Sequence, residues 1–124
     1  MAVRKNAAWG AVWENIVIAE FRKAAANCGG TLPLYYWRTA SGREVDLLIE
    51  TGHRQVVAVE VKATEMPGRD DLKGLESFAH HYGAESLQKA LLVCRTPNPY
   101  PVVGQTIEAD ALPVSKAVEE LVEK

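Results

Sequence analysis

Two stretches near the middle of the chain alternate between apolar and polar residues, as strands of a half-buried sheet do. The first covers residues 43–50, with the sequence REVDLLIE, and the second covers residues 56–62, with the sequence VVAVEVK. The five residues between them include Gly52, which favours a turn. The pattern therefore predicts a β-hairpin.

Alternation along this hairpin predicts one aliphatic face and one face that becomes charged, because successive side chains point to opposite sides of a strand. The aliphatic face is expected to hold Val45, Leu47, Ile49, Val57, Val59 and Val61. The opposite face begins apolar at Leu48, Val56 and Ala58 and ends with Glu44, Asp46, Glu60 and Lys62.

Pairing Glu50 with Val56 across the turn predicts that Asp46 faces Glu60 and that Glu44 faces Lys62. Directly opposed side chains have Cβ atoms about 4.5–5.5 Å apart, and like charges in such a pair are destabilising. A divalent cation or a nearby lysine would stabilise the two carboxylates. The alternative is a solvated sheet face without a ligand. Because Asp and Glu are poor strand formers, their place within β-branched runs favours a site.

Apolar residues at helical spacing predict a helix over about residues 6–27, with Asn6 as N-cap and Gly29-Gly30 after its end. The stripe consists of Trp9, Val12, Trp13, Ile16, Val17, Phe21 and Ala24. Glu20 falls near the middle of this stripe and Glu14 on its flank. A carboxylate near a core needs a partner. Glu20 is thus expected to be buried beside an arginine or lysine, and Glu14 to reach solvent, unless either points at the acidic end of the hairpin.

The remaining pattern predicts further strands and helices around this hairpin. We expect an aromatic strand at 34–39, a helix at 70–82, a buried strand at 90–94, a proline-rich loop at 96–101, an edge strand at 104–109 and a final helix at 114–122. The second helix should bury Leu72, Leu75, Phe78, Ala79 and Tyr82, while the adjacent His80 and His81 point to different sides and cannot form a metal pair. The order predicts an α/β fold in two or three layers, with helices flanking a mixed central sheet.

Composition narrows the class of protein without naming a function. The 124 residues suit one domain spanning 1–124, and the formal net charge of −2 excludes a general basic field for nucleic acid, so a polyanion would have to meet a local patch. Cys28 and Cys94 have no zinc-site spacing, which favours a reduced, cytoplasmic setting. The apolar runs are too short to span a membrane.

The charged hairpin resembles a known family. Asp46, followed after thirteen residues by Glu60-Val61-Lys62, is similar to the signature of the PD-(D/E)XK nuclease superfamily. That resemblance implies a restriction-endonuclease-like core, in which a helix with a glutamate precedes a three-stranded antiparallel meander, a helix and a further strand. The order matches from Trp9 to Cys94. Two departures are Val45, in place of the nominal proline, and Gly74 with Glu76, where some of these nucleases carry a basic residue and a glutamine.

Shorter segments resemble one branch of this superfamily more closely. GAVWEN at 10–15, YWRT at 36–39, GREVD at 42–46 and VEVKA at 59–63 are similar to the uncharacterised nuclease-like domain at the carboxyl end of many prokaryotic AAA-type ATPases. The chain contains no GxxxxGK[ST] motif. We therefore expect either a free-standing homologue or the excised tail of a longer ATPase.

The resemblance implies roles for particular residues. Asp46 and Glu60 would bind Mg²⁺ or Mn²⁺, with the Val61 carbonyl as a third ligand, and Lys62 would orient the attacking water. Glu14 would be an outer or second-metal ligand, with Glu20 ranked behind it. Phosphate contacts are expected, on weaker grounds, from Arg38, Arg43 and Lys73.

Two functions follow from different classes of protein. The first is a metal-dependent endonuclease that hydrolyses DNA, acting as a monomer or a homodimer. The second is a non-catalytic interaction or regulatory module of an AAA-type ATPase. The intact set of Glu14, Asp46, Glu60 and Lys62 favours the enzyme, whereas the acidic pI near 5.9 favours the module.

Overall fold

The computed structural model describes residues 7–27 and 33–122. The predicted N-cap Asn6, the predicted helix end at Gly29-Gly30 and Cys28 lie outside the described residues, as does the side chain of Trp9. No helix in the described part of the chain is long and apolar enough to cross a membrane.

Three helices flank one six-stranded sheet. The helices are α1 (Ala7–Ala26), α2 (Lys73–Tyr82) and α3 (Val114–Val122), and a short 3₁₀ turn, Arg69–Leu72, leads into α2. The strands are β1 (Leu34–Arg38), β2 (Glu44–Gly52), β3 (Gln55–Val61), β4 (Leu87–Val93), β5 (Tyr100–Val103) and β6 (Glu108–Leu112). The predicted α/β class with a mixed sheet and flanking helices is confirmed.

The sheet has the order β1-β2-β3-β4-β6-β5. Strands β1, β2 and β3 form the predicted antiparallel meander. Strand β4 runs parallel to β3, and α2 provides the crossover connection that a parallel pair needs. On its other side β4 runs parallel to β6. The sheet is therefore antiparallel at both edges and parallel in its centre.

Apolar side chains cover both faces of the sheet, which gives three layers. On one face α1 and α3 pack through residues such as Val17, Phe21 and Leu121. On the other face α2 packs through Leu75 and Phe78. The central strand β4 is buried on both faces from Ala90 onward, as the apolar run at 90–94 predicted, whereas its first three residues are at least partly exposed.

The register of the central hairpin is confirmed where the two strands pair. Glu50 lies opposite Val56 and Leu48 lies opposite Ala58. The paired residues continue from the turn as far as Leu47 and Val59. The two carboxylates of interest thus come immediately after the paired part of the hairpin.

Strand β2 carries a β-bulge that the sequence did not predict. On β1, Tyr35 pairs with Leu48 but Trp37 pairs with Val45, so Asp46 and Leu47 together oppose a single residue. As a result Val45 packs on the α2 side with Leu48, whereas Leu47 packs on the α1 side. The prediction that Val45 shares a face with Leu47 and Ile49 is wrong, because the extra residue reverses the alternation.

The region after β4 also differs from the prediction. Tyr100 and Pro101, expected in a loop, belong to strand β5, and β6 is an interior strand rather than an edge strand. Strand β5 lies at the edge of the sheet, where a proline is tolerated because one side of the strand needs no main-chain donor.

Three residues predicted to be buried are instead exposed. Val12 and Ile16 on α1 are 49% and 53% exposed, and Tyr82 at the end of α2 is 56% exposed. The core-facing stripe of α1 is thus narrower than the apolar pattern indicated.

Candidate functional site

The carboxyl groups of Asp46 and Glu60 replace main-chain partners where the β2–β3 pairing stops. The Asp46 N–H donates to Glu60 Oε1 at 3.2 Å, and the Val61 N–H donates to Asp46 Oδ2 at 2.8 Å. Each strand is therefore bridged by the other strand's carboxyl group. This holds two acidic side chains next to each other in the gap between the strands.

Glu60 is the more deeply buried of these acids, with 5% of its surface exposed. Burial, the charge of Asp46 and a side-chain hydrogen bond with Asp46 together raise the pKa of Glu60 to about 9, against the opposing effect of Lys62. The Lys62 ammonium lies 3.9 Å from Glu60 Oε2. One partly exposed lysine does not offset the cost of two neighbouring carboxylates, so the site favours a bound proton or another cation.

Asp46 and Glu60 line grooves on different sides of the sheet. Asp46 lines a groove on the α1 side together with Arg22, Tyr35 and Tyr36, which we call the α1-side groove. Glu60 lines a depression on the α2 side whose other charged residues are Arg43, Lys62, Lys73, Glu44, Asp70 and Asp71. The acidic pair therefore borders both grooves.

Helix α1 brings Glu14 into the electrostatic range of the site. A Cβ built on Gly10 would lie 4.0 Å from the Ala63 Cβ, so the helix passes close to the chain just after Lys62. Partial burial, then the charge of Asp46 and more weakly that of Glu44, raise the pKa of Glu14, while Lys62 opposes the rise. Glu14 is thus placed beside the acidic pair.

Glu20 lies elsewhere. Its carboxylate forms an ion pair with Lys23 at 3.3 Å, and the two side chains are 45% and 70% exposed, respectively. The expected lysine partner is present, but the expectation that Glu20 is buried is wrong. Val17 and Phe21 lie on the buried face of α1, and Glu20 lies beside that face with its side chain partly exposed.

Glu44 lines the depression on the α2 side together with Arg43 and Lys73. Glu44 accepts a hydrogen bond from the Tyr36 hydroxyl, which raises the pKa of that hydroxyl, and the charge of Arg38 opposes this rise. Of the three basic residues predicted to contact phosphate, Arg43 and Lys73 therefore lie beside Glu60, and Arg38 does not line this depression.

Gly74, which the sequence singled out only as a departure from the family pattern, has a structural role at the site. A Cβ built on Gly74 would lie 1.9 Å from the Glu44 carbonyl oxygen and 3.2 Å from Glu60 Oε2. Only glycine allows α2 to approach β2 and Glu60 so closely. A glycine inside an otherwise helical pattern was the available signal.

Within residues 7–27 and 33–122, no three His, Cys, Asp or Glu side chains are grouped closely enough to hold a metal ion by themselves. His80 and His81 are both exposed, and His81 Nδ1 lies 3.0 Å from the Ser77 carbonyl oxygen. The acidic pair is therefore a two-carboxylate arrangement with Glu14 near it.

Comparison with known proteins gives the chain a family. Residues 9–116 match the model described as "Domain of unknown function (DUF4143)". The chain belongs to this family. It is also 36% identical over 67 residues to the uncharacterized proteins Mb2031c of Mycobacterium bovis and Rv2008c of Mycobacterium tuberculosis. The match covers 54% of this chain and 14% of each mycobacterial protein. No solved structure matches the chain.

Proposed function

We propose that this DUF4143 domain is a metal-dependent nuclease of the PD-(D/E)XK type that hydrolyses phosphodiester bonds in DNA. The observation that carries this proposal is the paired arrangement of Asp46 and Glu60, with Lys62 3.9 Å from Glu60. The surrounding order of helix, antiparallel meander, helix and parallel strand supports it, since that order agrees with a restriction-endonuclease-like core.

The chemistry of the two carboxyl groups fits Mg²⁺ or Mn²⁺. Both ions prefer hard oxygen ligands, and Mg²⁺ keeps several of its waters, so two carboxylates suffice to hold it. The pKa of Glu60 is raised first by burial and then by the charge of Asp46, and a bound divalent cation would offset both effects. Asp46 and Glu60 are the proposed ligands, with Glu14 and the Val61 carbonyl completing the set. When bound, the metal would polarise a phosphoryl oxygen and activate water.

The side chains around this pair have distinct roles in the proposal. Lys62 orients the attacking water and offsets the charge of the phosphate, because its ammonium lies at the edge of the acidic pair and remains partly exposed. Glu14, on α1, accepts a proton or acts as an outer ligand of the metal. Gly74 keeps α2 close enough for Lys73 to reach the same phosphate region.

Calorimetric titration of Mg²⁺ and Mn²⁺ tests the metal site directly. Asp46→Asn and Glu60→Gln preserve side-chain size and are expected to abolish binding that the wild type shows. Glu50→Gln is the matched control. Glu50 lies on β2 like Asp46, but at the other end of the strand, where its carboxylate accepts a hydrogen bond from the Tyr35 hydroxyl. Hydrolysis of linear and branched DNA should follow the same pattern among variants. Absence of binding by the wild type would contradict the nuclease proposal.

A second function, an interaction module for an AAA-type ATPase, is favoured by a different observation. Val12 and Ile16 form an exposed apolar pair one helical turn apart on α1. The resemblance of segments 10–15, 36–39, 42–46 and 59–63 to the carboxyl-terminal domain of AAA-type ATPases supports this alternative as well. If this is the function, Val12→Lys with Ile16→Lys should abolish association with a purified AAA-type ATPase, while Asp46→Asn should leave it unchanged.

A further inference from the structure

Two grooves border the acidic pair, and they differ in the number of basic side chains that line them. The α1-side groove is lined by Asp46 and by apolar or tyrosine side chains, with Arg22 as its one basic lining residue among those described. On the α2 side, the depression beside Glu60 adjoins a second, larger recess beyond Lys73. We call the depression and this recess together the α2-side groove.

The depression and the larger recess form one continuous groove, because they share lining residues. Arg43, Asp70 and Lys73 line both the depression beside Glu60 and the larger recess. The recess has a volume of about 420 Å³ and adds Arg69, Glu76 and His80 to the lining. A continuous path that carries Arg43, Arg69 and Lys73 on its walls therefore leads from the acidic pair along the outer surface of α2.

Three basic residues of this groove form no ion pair with a neighbouring carboxylate. Within the described part of the chain, Arg43, Arg69 and Lys73 take part in no ion pair. Glu76, which also borders the recess, instead accepts hydrogen bonds from the Gln105 and Thr106 N–H groups at 2.6 and 3.1 Å.

Four of the five carboxyl groups that line the α2-side groove accept hydrogen bonds from the protein itself. Besides Glu60 and Glu76, Asp71 accepts one from the Gly68 N–H at 2.8 Å and Glu44 accepts one from the Tyr36 hydroxyl. The side chains of Arg43, Arg69 and Lys73 have no ion-pair partner among the described residues, so their donors are available to a ligand. Ser77 and Thr106 add hydroxyl groups to the lining, and this combination suits a phosphate group.

We propose that the α2-side groove binds the backbone of a nucleic-acid strand, with Arg43, Arg69 and Lys73 contacting the phosphates next to the one at Asp46 and Glu60. The inference rests on the proposed nuclease function and extends it, because it assigns the strand to the α2 side of the sheet and not to the α1 side. The recognised group is the phosphodiester, which single-stranded and duplex DNA share.

Fluorescence anisotropy with labelled single-stranded and duplex oligonucleotides, in EDTA to prevent hydrolysis, tests this assignment. Arg69→Ala with Lys73→Ala should weaken binding by at least about tenfold, since two phosphate contacts are lost. Arg22→Ala with Arg38→Ala is the charge-matched control, because neither residue lines the α2-side groove, and it should change the Kd by less than about twofold. All four side chains are exposed, and a thermal melt of each variant verifies folding.

The outcomes separate this inference from the proposed function. An equal or larger loss in the Arg22 and Arg38 variant would overturn the assignment to the α2 side, as would wild-type binding of inorganic phosphate but of neither oligonucleotide. Selective loss in the Arg69 and Lys73 variant without any DNA hydrolysis in Mg²⁺ would support the groove and refute the nuclease. Unimpaired DNA hydrolysis by the Arg69 and Lys73 variant would support the nuclease and refute the groove.

Discussion

The carboxyl group of Glu60 couples the stability of the protein to pH. Its ordinary pKa of 4.5 is raised to about 9 in the fold, chiefly by burial and then by Asp46. Between these values the folded state binds more protons at this position than the unfolded chain does, so the free energy of unfolding falls as the pH rises. The contribution is fully present below about pH 4.5 and is lost as the pH rises through about 9.

Chemical denaturation of the metal-free protein at pH 6, 7 and 8 measures this effect. We expect the wild type to lose up to about 1.4 kcal/mol per pH unit relative to Glu60→Gln, which cannot ionise. Glu50→Gln should follow the wild type at every pH, since Glu50 is not part of the acidic pair. Parallel curves for the wild type and Glu60→Gln would show that Glu60 is already ionised at neutral pH.

At the residue scale, the sequence located the acidic pair but not its geometry. The hairpin register followed from Gly52 and the alternation, and it correctly placed Asp46 next to Glu60. The bulge at Asp46 and Leu47 could not be predicted, because it depends on how β1 pairs with β2 and leaves no mark on the pattern of β2 itself. The bulge also explains why Val45 lies on the unexpected face.

At the scale of elements, the approach of α2 to β2 depends on Gly74. A glycine-to-alanine change in an open helix position stabilises a protein by about 1 kcal/mol. At Gly74 the added methyl group would collide with the Glu44 carbonyl, so we expect Gly74→Ala to destabilise the fold by about 1–3 kcal/mol and to weaken metal binding. Denaturation and metal titration of the purified variant measure the two effects.

Gly10→Ala is the control for this prediction, since Gly10 also lies within a helix. Its built Cβ meets only Ala63, at an ordinary contact distance of 4.0 Å. This variant should be as stable as the wild type or more stable. If Gly74→Ala were also neutral, the close contact between α2 and β2 would be refuted.

The two faces of α1 should differ sharply in their sensitivity to substitution. Phe21 is fully buried, and Phe21→Ala should cost about 3–5 kcal/mol of stability. Ile16 is 53% exposed, and Ile16→Ala should change stability by less than about 0.5 kcal/mol. Urea denaturation compares them, and a loss above 1 kcal/mol for Ile16→Ala would mean that this face is covered in the purified protein.

Elements with strong periodicity were predictable, and those set by distant pairing were not. The sequence predicted α3 with its observed bounds, and the meander to within two residues at each strand end. Strand β5 was not predicted, because Pro99 and Pro101 indicate a loop unless the strand lies at a sheet edge. Strand β6 begins later in the chain than the strand predicted at 104–109. The exposure of Val12 and Ile16 was also missed, since an apolar stripe does not show how much of it the sheet can cover.

At the scale of the whole molecule, the net charge of −2 and the unpaired cations of the α2-side groove make opposite contributions to DNA binding. The overall charge gives no long-range attraction for a polyanion, so affinity should come from the few cations in the groove. Each phosphate contact contributes about 0.7–0.9 to the slope of log Kd against log salt concentration. With Arg43, Arg69 and Lys73 as contacts, we expect a slope of about 2–3, falling by about 1 in Lys73→Ala. Anisotropy titrations between 25 and about 200 mM salt measure it. A slope far above 3 would require basic residues outside this groove, and a slope near zero would exclude phosphate contacts as the basis of binding.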